Sequence, residues 1–135
     1  MAENMIRIML VDDQVIMRRL LGELLLEEPD MTIVGEASDG ETAVRLVREL
    51  VPDVVLMDIE MPAMDGLKAT QLIHKELPHV RVIGLSMYEE PEMASAMRTA
   101  GAVDYVTKSA PSNAVIAAIR ACARSGEQPP GLSSI

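Results

Sequence analysis

Phenylalanine and tryptophan are absent from this 135-residue chain, and tyrosine occurs only twice. The core must therefore be built from Leu, Ile, Val, Ala and eleven Met, whose thioether adapts to irregular gaps. Cysteine is nearly absent too. Cys122 stands alone, which rules out an internal disulfide and a cysteine metal cluster. Positive charge is scarce: 12 Lys and Arg face 21 Asp and Glu, for a formal net charge of −9. That balance argues against direct nucleic-acid or anionic-membrane binding by this domain, and favours cationic partners or a bound metal. No apolar run approaches the length of a membrane span, and the N-terminus lacks a signal-peptide pattern. A cytoplasmic location is expected.

What is present suits one soluble domain. Apolar residues make up 49% and charged residues 24%, and the length fits a single core. A compact unit is expected over residues 1–125. The Gly/Pro/Ser-rich GEQPPGLSSI at 126–135 reads as a linker or frayed tail. Short β-rich runs occur at 6–11, 31–37, 53–57, 80–85 and 103–106. They lack strict alternation, as expected of strands covered on both faces. Helical patterns separate them. Residues 14–26 are strongly apolar. Ser38 and Glu41 suggest a capping box for a second helix, with Ala43, Val44, Val47 and Leu50 on one face. A third helix is expected from about Gly66 to Glu76, before Pro78. A fourth opens near Pro91 and stops at Gly101, and a fifth starts at Pro111 or Ser112. Five βα units with short connections predict an α/β doubly wound parallel sheet of order 2-1-3-4-5.

In such a sheet, ligands bind beyond the carboxyl ends of the strands. Strand 1 leads into Asp12 and Asp13, strand 3 into Asp58, strand 4 into Ser86, and strand 5 is followed by Lys108. These four strands are contiguous in the expected order, so their tips converge. Two carboxylates ~5 Å apart repel by roughly 3 kcal/mol at an effective dielectric near 20. Lys108 supplies one compensating charge, and a hard divalent cation such as Mg²⁺ or Mn²⁺ is the natural second. Asp39, by contrast, reads as an ordinary turn or cap residue.

LVDD (10–13), DIEMPAMDG (58–66), LSM (85–87) and DYVTK (104–108) occur in order and at this spacing. Together they resemble the receiver domain of two-component response regulators, over about residues 5–124. MIRIMLVDD, EASDGETAV and LSMYEE are most similar to its NarL/FixJ-type branch. The resemblance implies a flavodoxin-like fold and a phospho-accepting Asp58. Asp12, Asp13, Asp58 and the backbone carbonyl of Glu60 would hold Mg²⁺, Ser86 and Tyr105 would act as switch residues, and Lys108 would be the catalytic lysine. It also implies a sensor histidine kinase or histidine phosphotransfer domain as donor, a possible homodimer, and control of transcription through a DNA-binding domain outside this chain. The chain would be a phosphorylated switch that assists its own phosphorylation and dephosphorylation. An aspartyl-phosphate hydrolase or a flavodoxin-like binding protein is the alternative. The first usually needs an acid–base Asp two residues after the nucleophile, where this chain has Glu60. The second wants aromatics around its flavin.

Other residues depart from the pattern or fall outside it. Ser109 follows the lysine where proline is common, Met87 is larger than usual after Ser86, and Glu60 and Tyr88 flank the site. His74 and His79 read as surface residues and Cys122 as packing. Helix 1 is apolar around most of its circumference (Val15, Ile16, Met17, Leu20, Leu21, Leu24, Leu25, Leu26), more than one buried face needs. The surplus suggests a docking surface.

Overall fold

The computed structural model describes residues 5–61, 65–87, 90–108 and 112–127. Five strands alternate with five helices: β1 (Ile6–Val11), α1 (Val15–Leu26), β2 (Met31–Ala37), α2 (Gly40–Leu50), β3 (Val54–Asp58), α3 (Gly66–Glu76), β4 (Arg81–Ser86), α4 (Pro91–Ala100), β5 (Asp104–Thr107) and α5 (Ser112–Glu127). The strands form one sheet in the order β2-β1-β3-β4-β5, with every pair parallel. The expected architecture holds. Tyr88, Ser109, Pro111 and residues 128–135 lie outside the described residues.

Alternation along each strand explains the unbroken apolar runs. Successive side chains leave a strand on opposite faces. Ile8, Leu10, Val54 and Leu56 pack with Leu25 of α1 and with Val115, Ala118 and Ile119 of α5. Met9, Val11, Val55 and Met57 pack on the other face, against Ala43 and Val47 of α2, Ala69 and Ile73 of α3 and Met97 of α4. Both faces of the central strands β1, β3 and β4 are covered, so their middle positions are apolar. The buried polar residues of the sheet, Asp58 and Ser86, come at the strand ends, and Asp12 follows β1.

Two expectations need correction. β3, β4 and β5 each lie one residue further along than the apolar runs suggested, so Asp58 and Ser86 are themselves the last residues of their strands. Hydrophobicity stops before the ladder does: Ile59 N still donates to Leu85 O at 3.2 Å and Lys108 N to Ser86 O at 2.6 Å. The cap of α2 is also shifted by one. Its N-cap is Asp39, whose carboxylate accepts from Thr42 N at 2.8 Å and Thr42 Oγ1 at 3.1 Å. Ser38, expected as the cap, is exposed. A carboxylate one residue nearer the first turn takes the orphan N–H instead. α4 conforms, with Pro91 in its first turn and Gly101 as a left-handed C-cap at φ 117°.

Candidate functional site

The carboxyl edge of the sheet gathers the predicted residues. Asp12 follows β1 directly and is fully buried. Its N–H donates to Ala37 O at 3.0 Å, and its Oδ1 accepts from Gln14 N at 2.9 Å. The tight turn into α1 therefore closes on the Asp12 side chain, as short acidic residues favour. Asp13, next along, is exposed. Asp58 is 1% exposed, and its Oδ1 accepts from Glu60 N at 3.1 Å. Asp12, Asp13 and Asp58 each offer an oxygen within 4.8 Å of the others.

Lys108 enters from the end of β5. Its Nζ lies 2.8 Å from Asp12 Oδ2 and 3.3 Å from Asp58 Oδ1. The ammonium bridges the two buried acids. Three carboxylates with oxygens this close together fit a hard cation, and the all-oxygen donor set suits Mg²⁺ or Mn²⁺.

Electrostatics agree with the geometry. Burial pushes the Asp58 carboxyl up to about 6, the Asp12 charge adds to this, and the Glu60 N–H and Lys108 oppose it. Burial works against the Lys108 ammonium, but contact with Asp12 and the charges of Asp58 and Asp12 outweigh it, holding its pKa above the ordinary lysine value. Three acids facing one lysine leave the pocket short of positive charge.

Ser86 is fully buried at the end of β4, in register with Thr107 of β5 and one residue beyond the partner of Asp58. Tyr105 is half-buried on β5 and packs against the α2–α3–α4 side of the core. Glu60 is exposed just past β3. The outliers also fall as expected: His74 and His79 are exposed, and Cys122 is buried on α5.

Two supporting residues escaped the sequence reading. A Cβ at Gly66 would overlap the Asp58 carbonyl oxygen, so only glycine lets α3 begin this close to the strand end. The DG pair marked a helix start but not this approach. The second is Arg18 of α1, whose Nη1 donates to Asp12 O at 2.5 Å. Nothing in the sequence set it apart from Arg19 beside it.

A doubly wound sheet carrying three carboxylates and a lysine at its carboxyl edge defines the receiver class of α/β domain. Residues 8–120 match the response regulator receiver domain, and the chain belongs to that family. The transcriptional regulatory protein LiaR of Bacillus subtilis (strain 168) is 40% identical over 120 residues, covering 89% of this chain and 57% of LiaR. A LuxR-family two-component response regulator from Aurantimonas sp. SI85-9A1 superposes with a TM-score of 0.86 at 36% identity, covering 90% of this chain and 86% of that one. The response regulator domain of Thermotoga maritima CheB gives 0.83 at 37% identity, with 93% and 99% covered. LiaR and the LuxR-family regulator support the NarL/FixJ-type branch. The chain spans little more than half the length of the curated relatives it matches. Membership sets aside the hydrolase and flavodoxin-like alternatives. Among the described residues, no helix is long and apolar enough to cross a membrane.

Proposed function

We propose that this chain takes a phosphoryl group onto Asp58 from a phosphohistidine of a sensor kinase or histidine phosphotransfer domain, in the cytoplasm. The reading rests on one observation: three carboxylates within 4.8 Å of one another, two of them bridged by a buried lysine, at the carboxyl edge of a receiver fold. Asp12, Asp13, Asp58 and the Glu60 carbonyl would hold Mg²⁺ or Mn²⁺. A bound ion supplies charge neutralisation for the phosphoryl oxygens and for the acids themselves.

The residues of the chain account for the rest. An Asp58 carboxylate oxygen attacks phosphorus, the new P–O bond forms as the N–P bond of the donor breaks, and the imidazole nitrogen keeps the electron pair and takes a proton from solvent. No general base is needed, because the ionised carboxylate has no proton to lose. Lys108 stabilises charge on the transferring oxygens from its place between Asp12 and Asp58. The product is a mixed anhydride that hydrolyses by water attack, which makes the chain a switch that resets itself rather than an enzyme acting on other substrates.

The phosphoryl group adds about two negative charges at the strand tips. The Ser86 hydroxyl donates to one of its oxygens and draws in the segment after β4, and Tyr105 moves inward. The α4–β5–α5 face then changes. That face already carries a groove of about 910 Å³, lined by Arg98 of α4, Tyr105 of β5 and Ala114 and Ala118 of α5. Relatives named as transcriptional regulators make a DNA-binding output domain the natural reader of this change. The donor's helices dock on α1, where Val15, Ile16, Leu20 and Leu26 are all more than half exposed. A homodimer is a further use of exposed surface of this kind.

Incubation with acetyl phosphate and Mg²⁺, followed by intact-mass measurement, tests the reading. The wild-type chain gains a single phosphate and Asp58→Asn gains none. Leu20→Gln keeps the adduct from acetyl phosphate but loses speed with a phosphohistidine protein. An adduct that survives Asp58→Asn contradicts the site, and a wild-type rate for Leu20→Gln with the phosphohistidine protein contradicts the docking face.

A further inference from the structure

We infer that Arg18 is a positioning residue for the metal-binding acids, acting through the backbone between Asp12 and Asp13; the inference rests on the receiver-site reading above. Arg18 is the fourth residue of α1, on a helix whose other inward contacts are apolar. Its side chain is 17% exposed and runs back along the helix towards the strand tips. Nη1 donates to the Asp12 carbonyl at 2.5 Å, while Nε donates to Glu36 Oε1 on β2 at 3.0 Å. One rigid guanidinium thus joins three elements: α1, the end of β1 and the edge strand β2. A planar fork with fixed donor directions suits this, and a single ammonium does not.

The contact is to a backbone atom that the acid pair shares through its peptide. The Asp12 carbonyl and the Asp13 N–H belong to the same planar peptide. Fixing the oxygen fixes the plane, and with it the direction in which Asp13 leaves the chain. Asp12 has further anchors, its N–H on Ala37 O and its Oδ1 on Gln14 N. Asp13 is exposed, so the direction of its carboxylate depends on its backbone. Arg18 therefore holds the less anchored acid in range of Asp58, and Glu36 holds Arg18. The arrangement is an outer layer of support behind the ligands, a kind of contact whose loss commonly weakens metal affinity 10–100-fold.

The test is Mn²⁺ binding by electron paramagnetic resonance on the full chain, without phosphodonor, with a thermal melt of each variant alongside. Arg18→Gln is expected to lower Mn²⁺ affinity about tenfold. Arg18→Lys keeps the charge without the fork and recovers only part of the loss. Glu36→Gln, which removes an exposed partner and leaves the site's residues in place, gives a smaller loss in the same direction. It carries the test if Arg18→Gln does not fold. Arg48→Gln, which breaks the comparable α2–α3 ion pair with Glu76, leaves the affinity unchanged. Wild-type affinity in a folded Arg18→Gln overturns the inference. Full recovery in Arg18→Lys also overturns it, because charge alone would then suffice. If the wild-type chain itself binds no Mn²⁺, the receiver-site reading fails and the inference with it.

Discussion

At the residue scale, the unusual group is a carboxylate placed in a nearly dry site. Asp58 keeps its proton up to about 6 in the folded chain, against 3.8 for an ordinary aspartate. Between those values the folded state binds more protons than the unfolded one, so stability falls as pH rises through that window. Above about 6 the cost is fully present. In chelator, Asp58→Asn should therefore be more stable than wild type at pH 7.5, by up to about 3 kcal/mol, less what Lys108 loses with its partner. The gain should shrink towards zero near pH 4. Urea titrations at the two pH values measure this directly; an equal gain at both, or a loss at pH 7.5, contradicts the account. If Asp58 is the phosphoacceptor proposed above, it is kept for its chemistry against its own folding cost.

At the element scale, the boundaries of strands and helices show what could be read from the sequence. Periodicity located all ten elements, because dry faces on both sides of the sheet force long apolar runs and the helices between them carry their own punctuation. It missed where β3, β4 and β5 stop, since the ladder continues through Asp58 and Ser86 after hydrophobicity has ended. It also offered a Ser38–Glu41 capping box for α2 beside an Asp39 read only as a turn or cap residue. SDGE offers Ser38 and Asp39 at adjacent positions, and backbone geometry decides between them. The structure gives the role to Asp39, at φ −155° and ψ 168°. Asp39→Ala should accordingly cost about 1 kcal/mol, while Ser38→Ala should be nearly neutral. Chemical denaturation of the two variants checks the assignment, and a reversed order of the two costs would refute it.

At the scale of the whole molecule, the site exists only because the sheet is wound in the order β2-β1-β3-β4-β5. Three elements separate Asp12 from the strand of Asp58 in sequence, yet both stand at the ends of neighbouring strands, and Lys108 arrives from the far side of β4. Motif order therefore made the cluster legible before any coordinates. What remained hidden was the support: the glycine that lets α3 approach Asp58, and the arginine behind Asp12. Neither is a reacting residue: Gly66 closes the DIEMPAMDG stretch without showing its approach to the Asp58 carbonyl, and Arg18 has no spacing signature, because both act on backbone atoms rather than on side chains.

The central claim is that Asp58 is the atom-level acceptor and that the surrounding acids serve it through a divalent ion. Borohydride reduction after exposure to acetyl phosphate, followed by peptide mapping, addresses it most directly, since hydride converts an acyl phosphate to the corresponding alcohol. The account predicts homoserine at position 58 alone, formed with Mg²⁺ and lost with chelator. Reduction at Asp12 or Asp13 instead, or the same yield at position 58 without divalent metal, would contradict it.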